Sequence, residues 1–280
     1  VNAIKNLFWV SRPISWVNTA FPFALTYYLA TGQIDLTLII GTIFFLVPYN
    51  LLMYGINDVF DYESDLRNPR KGGIEGAVSE KKWHPLILWS STLSCAPFVV
   101  YLVIVGNGLA NFFLALFIFT VVAYSAKGLR FKEKPFLDSL TSASHFVGPL
   151  IYALALTKTS LMGNLIAIAA FTLWGMASHA FGAVQDVIAD REGGISSIAT
   201  YIGARTTTRL AFCSYALAGS LVLLFPFPGN LAILAAAPYL LIVGQFWNVT
   251  DETSESANRG WKHFIKLNYI AGFIVTMLLI

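Results

Sequence analysis

Residues 36–65 read LTLIIGTIFFLVPYNLLMYGINDVFDYESD, an uncharged apolar run from Leu36 to Ile56 closed by Asn57-Asp58-Val-Phe-Asp61-Tyr-Glu-Ser-Asp65. The run is long enough to cross the hydrocarbon core of a bilayer as a helix. Carboxylates clustered where such a run ends repel one another and are costly to place, so a cation partner is the first thing to look for. Farther along, Gln185-Asp186-Val-Ile-Ala-Asp190 closes a second apolar stretch in the same way.

The rest of the chain has the same character. It holds 280 residues, 56% hydrophobic and 12% charged, with a mean hydropathy of +0.67. Soluble domains carry about 25% charged residues, so the composition specifies an integral membrane protein. Long apolar segments, rather than short alternating ones, favour helices over a barrel. Cys95 and Cys213 lie within apolar stretches and read as small buried hydrophobes, not as a disulfide framework.

Nine windows of about 17 to 22 residues can be laid down as membrane spans: 13–29, 36–57, 85–105, 109–127, 139–156, 161–182, 206–224, 231–247 and 264–280. The first reads as a retained span rather than a signal peptide, since no small-residue cleavage site follows it. With these spans, every Lys and Arg except Lys158 falls on one side, and every acid except Asp35 falls there too. The positive-inside rule makes that side cytoplasmic, with the amino terminus inside and the carboxyl terminus outside. Both acidic motifs therefore belong to one membrane face.

An internal echo points the same way. Asn57-Asp-Val59 aligns with Gln185-Asp-Val187, and Arg70-Lys-Gly-Gly-Ile74 with Arg191-Glu-Gly-Gly-Ile195. The expected fold is all-α, a single transmembrane domain over residues 1–280. It has two pseudo-repeated four-helix halves plus one helix, with a site where the halves meet.

On a continuous helix Asp58, Asp61 and Asp65 share a face, as do Asp186 and Asp190. Two unit charges about 6 Å apart at an effective dielectric near 20 repel by roughly 3 kcal/mol, so five converging carboxylates call for a cation. Donors that are all oxygen, with no His or Cys beside them, favour Mg²⁺ over Zn²⁺. Arg and Lys surround the motifs, and a carboxylate–metal floor ringed by such cations suits a diphosphate. Some of those cations also hold loops inside and meet anionic lipid. The spacing excludes an EF-hand loop.

At these residues the chain resembles the UbiA superfamily of intramembrane prenyltransferases. Asn57-Asp58-x-x-Asp61-x-x-x-Asp65 is similar to that family's first motif and Asp186-x-x-x-Asp190 to its second. Tyr124-Ser-Ala-Lys127, with Arg130 and Lys132, looks like its basic loop after the fourth helix. The resemblance implies a Mg²⁺-dependent transfer of a prenyl group from an allylic diphosphate to a lipophilic acceptor. It implies metal binding and catalysis by Asn57, Asp58, Asp61, Asp186 and Asp190, with Asp65 direct or one shell out. Diphosphate binding would fall to Arg12, Arg67, Tyr124, Lys127, Arg130 and Lys132. Asn50, Tyr54, His145 and His179 are candidates for the acceptor cavity.

A narrower likeness runs through Asn57 to Gly73, Arg130 to Ser139 and His179 to Asp190, which look like the lycopene elongases of C50 carotenoid biosynthesis. That implies dimethylallyl diphosphate as donor and the ends of lycopene as acceptor, giving acyclic C45 and C50 products. The expected setting is the cell inner membrane, with the active site on the cytoplasmic side and lipid, not nucleic acid, around it. An aromatic prenyltransferase of the quinone or tocopherol type shares every metal and diphosphate residue and stands as the alternative. A cation transporter is the alternative of another class. It would place ionisable residues deep in several spans, whereas here only His145 and His179 fall deep.

Overall fold

The computed structural model describes residues 3–66 and 78–280, and among these every regular element is a helix. In chain order these are α1 (Ala3–Val10), α2 (Trp16–Thr31), α3 (Leu36–Leu46), α4 (Pro48–Phe60), α5 (Tyr62–Asp65), α6 (His84–Val105) and α7 (Gly108–Ser125). There follow α8 (Leu137–Leu156), α9 (Leu165–Val184), α10 (Val187–Glu192), α11 (Ile198–Ile202), α12 (Ala204–Val222), α13 (Ala236–Gly244) and α14 (Asn258–Leu279).

Five segments are long and apolar enough to cross a membrane: Leu36–Phe60, Lys81–Val105, Gly108–Ser125, Leu137–Leu156 and Met162–Val184. They match the expected second to sixth spans. The other four expected spans coincide with α2, α12, the segment ending in α13, and α14. These are shorter or more polar; α12, for example, begins Ala-Arg-Thr-Thr-Thr-Arg. The surface of α6 has the pattern a bilayer asks for. Trp89, Leu93, Val100 and Ile104 are well exposed along one face, while Ile87, Ser91, Cys95 and Leu102 are buried on the other. An apolar stripe of this length facing water would drive aggregation, and facing lipid it is the stable arrangement.

The chain forms two compact units, one of Val1–Arg130 with Gly148–Ser160, the other of Phe131–Val147 with Leu161–Ile280. In the first, a ring cluster of Phe23, Phe44, Phe45, Tyr49 and Tyr152 is almost wholly buried. Centroid separations of 4.8 Å for Phe44–Phe45 and 5.2 Å for both Phe23–Phe45 and Phe45–Tyr49 give the tilted and edge contacts that aromatic quadrupoles prefer. Close packing of this kind, rather than expulsion of water, holds helices together in lipid.

The second expected span is broken at Val47-Pro48, because Pro48 has no amide hydrogen to continue the ladder of α3. The carbonyls freed there are taken up by side chains. Asn50 Nδ2 reaches the Phe45 and Leu46 oxygens at 2.9 and 3.0 Å, and Thr19 Oγ1 donates to Phe45 at 2.6 Å. At the other end of this span Asp35 caps α3. Its carboxylate accepts the Leu38 amide at 2.9 Å, and that bond holds it below the usual carboxylate range.

The second unit packs Tyr215, Tyr239, Phe264 and Phe181 into its own core. Tyr215 and Tyr239 stack at 5.0 Å. The Tyr215 hydroxyl finds Ser178 at 2.7 Å, as a buried phenol must find a partner.

Candidate active site

The first acidic motif lies where α4 ends. The expected helix through Asp65 is interrupted: Asp61, at φ −101° and ψ 1°, closes α4, and α5 is a single turn. The amides of Asp61 and Asp65 still bond the carbonyls four residues back, at 2.9 and 2.8 Å. Asn57 Nδ2 donates both to the Asp61 carboxylate and, at 3.0 Å, to Ser125 Oγ on α7.

Asp58, Asp61 and Asp65 are all buried, at 3%, 4% and 8% exposure. Buried carboxylates need charge partners, and two arginines supply them. Arg12 Nη2 meets Asp58 Oδ1 at 2.7 Å, and Arg130 Nη2 lies 3.5 Å from Asp61 Oδ1. The Arg12 guanidinium carbon also lies over Tyr54, 4.2 Å from the ring centroid, and its buried Nε makes no hydrogen bond.

Both arginines have left-handed backbone, φ 49° at Arg12 and φ 40° at Arg130. A residue with a Cβ costs about 1–2 kcal/mol there. Strain of this kind is kept where the surroundings hold a side chain in a useful place. The turn that delivers Arg130 also needs Gly128, whose φ of 91° a Cβ would oppose.

In the second unit, α9 ends at Val184 and Asp186 stands at the N-cap position of α10. Here too the expected continuous helix is broken, although the Asp190 amide bonds the Asp186 carbonyl at 2.8 Å. Gln185 is fixed by Asn258, which donates to its Oε1 at 2.6 Å, and donates in turn to Gly182. Asp186 and Asp190 are half-buried. Arg191, one of the cations following this motif, is paired with Asp251 at 2.7 Å and donates to the Thr200 carbonyl at 3.1 Å. It thereby ties α10 to its neighbours.

Of the remaining expected residues, Tyr124 is half-buried on α7, Lys127 is exposed, and Lys132 is half-buried. Arg67 lies outside the described residues, as does the Arg70–Ile74 half of the internal echo. Asn50 is fully buried, its amide nitrogen committed to the α3–α4 break. His145 is buried on α8, and His179 Nδ1 lies 3.1 Å from Ser139 Oγ. Sequence reasoning passed over Ser125, Ser139 and the fully buried Asp138. An acid directly after the apolar pair Phe136-Leu137 was the available signal.

Among the described residues no three His, Cys, Asp or Glu side chains are gathered as a ready-made metal-ligand set. In the first motif the acids face arginines and Asn57 instead. The donor chemistry still fits a hard divalent ion: buried carboxylates and an amide, all oxygen ligands, with an unused guanidinium donor beside them for an anion. A cavity of about 310 Å³ beside α13 and α14, lined by Gln245, Phe246, Arg259 and His263 among others, contains none of the expected residues.

Residues 19–270 match the family model for the UbiA prenyltransferase family. The chain is 56% identical over 280 residues to the C(50) beta-cyclic carotenoids biosynthesis protein LbtBC of Dietzia sp. (strain CQ4), covering 99% of its own length and 65% of that relative's. It is 53% identical over 271 residues to the lycopene elongase/hydratase of Corynebacterium glutamicum (strain ATCC 13032), covering 96% and 94% of the two chains. Its fold is similar to that of a UbiA homolog from Archaeoglobus fulgidus bound to DMAPP and Mg²⁺, with a TM-score of 0.70. That match covers 97% of this chain and 99% of the other at 17% identity, and it speaks to the fold alone.

Proposed function

The chain belongs to the UbiA prenyltransferase family, and from that membership we propose that it moves a dimethylallyl group from its diphosphate to the ends of lycopene. It is an integral membrane prenyltransferase; donor and acceptor are the proposal. The observation carrying the acceptor is the near full-length similarity to a protein named lycopene elongase/hydratase. For the donor it is a pair of acidic motifs of oxygen ligands, the first buried and the second half-buried, with Arg12 and Arg130 on the first.

In this reading two Mg²⁺ ions would be held by Asn57, Asp58, Asp61, Asp186 and Asp190, with Asp65 in support. When bound, the metal supplies positive charge that stabilises the diphosphate leaving group. Arg12 and Arg130 balance the acids of the first motif, and Arg12 keeps its Nε as a further N–H donor for a diphosphate oxygen. Lys132, Lys127, Tyr124 and Arg67 complete the anion's surroundings. Tyr54, 4.2 Å from the Arg12 guanidinium, helps to hold that cation in place and would line the acceptor cavity. The apolar helices exclude water, which would otherwise capture the allylic cation. We place the site on the cytoplasmic face of the inner membrane, where the basic loops gather, within one domain that crosses nine times.

The test is product analysis by mass spectrometry with purified protein, Mg²⁺, dimethylallyl diphosphate and lycopene. C45 and C50 carotenoids are expected. Prenylation of a phenolic acceptor with no carotenoid product would refute the assignment and favour the aromatic alternative.

A further inference from the structure

The cavity beside α13 and α14 has a lining unlike that of the acidic motifs. Ile242, Gln245 and Phe246 come from α13 and the turn after it, Arg259, Gly260 and His263 from the start of α14. Its volume of about 310 Å³ is at the lower end of the range for small-molecule pockets. Gly260 makes the floor: a Cβ there would meet Phe246 at 2.6 Å and Ile242 at 3.1 Å. Ile242 and Phe246 are half-buried, whereas Gln245, Arg259 and His263 are exposed. The cavity is therefore apolar inside and polar at its rim.

The rim is cationic and uncommitted. Among the described residues the side chains of Arg259 and His263 form no ion pair or hydrogen bond. Lys262 and Lys266 share their helical face, three and seven residues after Arg259, and both are exposed. Glu255, one turn before Arg259, is the nearest acid along the chain, so the face keeps a positive balance. From Lys266 to Leu279 the helix is apolar. Ile270, Phe273 and Met277 continue the same face and are well exposed. From Lys266 to Met277 the helix rises about 16 Å, close to the roughly 15 Å of hydrocarbon in one leaflet. An exposed apolar stripe alone would accept any lipid; cations gathered at one end of it select a negative headgroup.

We propose that this cavity binds an anionic phospholipid, its phosphate between Arg259 and His263 and its acyl chains along the face of Ile270, Phe273 and Met277. A guanidinium offers paired N–H donors to phosphate oxygens, and His263 adds an imidazole N–H. Lys262 and Lys266 attract the headgroup from beside it. Gln245 Nε2 is held by the Leu241 carbonyl at 3.2 Å, which leaves its Oε1 to accept from a headgroup hydroxyl. Free phosphate shares the anionic chemistry but has nothing to lay on the apolar stripe, so a lipid is the occupant. The site depends on neither the donor nor the acceptor of the prenyl-transfer reading.

The experiment is native mass spectrometry of the purified full chain in detergent, titrated with dioleoyl phosphatidylglycerol, dioleoyl phosphatidylcholine or inorganic phosphate. One retained phosphatidylglycerol is expected, bound about tenfold more tightly than phosphatidylcholine, the scale of a few cations beside an anionic headgroup. Arg259→Gln with His263→Gln is expected to erase that preference, and where the pair does not fold, R259Q alone should lower it about fivefold. Arg205→Gln removes an exposed cation from α12 instead and should leave binding within about twofold of wild type, because a distant surface charge is screened. Inorganic phosphate in large excess should not displace the lipid. Displacement by phosphate would identify a free-anion site and overturn the lipid assignment. Equal retention of the two lipids by wild type, an undiminished preference in R259Q/H263Q, or an equal loss in R205Q would overturn the site itself.

Discussion

The Arg12–Asp58 pair lends itself to a perturbation in which stability and activity separate. The Asp58 side chain is 1% exposed and Arg12 15%, at 2.7 Å. Arg12→Ala leaves a carboxylate in a buried site without its guanidinium, and breaking a buried pair from one side costs about 3–5 kcal/mol. The partial exposure of Arg12, and the further contacts of Asp58, argue for the lower end, about 3 kcal/mol. Asp58→Asn removes the charge, and in the double variant R12A/D58N the stranded charge is gone. The coupling energy of the cycle is therefore expected at about 2 kcal/mol, within the range for contacting residues. The assay is the unfolding midpoint in one fixed detergent, read beside prenyl transfer. The double variant should recover much of the stability lost in R12A, while activity stays low in all three, because both groups belong to the proposed diphosphate site. A coupling below about 0.5 kcal/mol, or a double variant less stable than the sum of the singles, would refute the reasoning.

Further outcomes follow from other contacts. Asp58→Asn and Asp186→Asn are each expected to lower turnover by about 10²–10³, the scale of losing one preorganised electrostatic contact; near-normal prenyl transfer at normal expression would remove them from the site. Asp251 has a depressed pKa: burial alone would raise it, but the Ala204 amide and Arg191 outweigh that. The unfolded chain therefore takes up this proton first, so the stabilisation is complete above the ordinary carboxylate pKa of about 3.9 and is lost as pH falls through the lower folded value. D251N should flatten that part of an acid-unfolding profile, and an unchanged slope would contradict the assignment. Gly175→Val should destabilise by about 1–3 kcal/mol through overpacking against Ala143, seen as a lower unfolding midpoint. Gly272→Ala, whose Cβ meets nothing within 4 Å, should leave the midpoint nearly unchanged, and equal shifts in the two variants would count against the packing argument.

Much of this was legible in the residues. Uncharged runs longer than the bilayer is thick fixed an all-helical membrane protein, and the second to sixth spans were placed within a few residues, since length and hydropathy are local properties. The breaks were harder. Pro48 announces one openly, but no Pro or Gly marks those at Asp61 and Gln185–Asp186. The acids themselves stood out because carboxylates beside lipid are rare. Arg12 was expected at the diphosphate from the resemblance, but its pairing with Asp58, far away in sequence, is a tertiary contact that no local pattern announces. The contact of Ser139 with His179 joins two helices, so no spacing rule along a single one reveals it.

The most direct test of the central idea, that both acidic motifs serve one metal-bound diphosphate, is Mn²⁺ binding by electron paramagnetic resonance with dimethylallyl thiodiphosphate. Wild type, D58N, D186N and the double variant are compared. Either single substitution should abolish high-affinity binding, and the double variant should bind no worse than the singles. Tight binding that survives in D58N or D186N, or losses that simply add, would mean the motifs act apart.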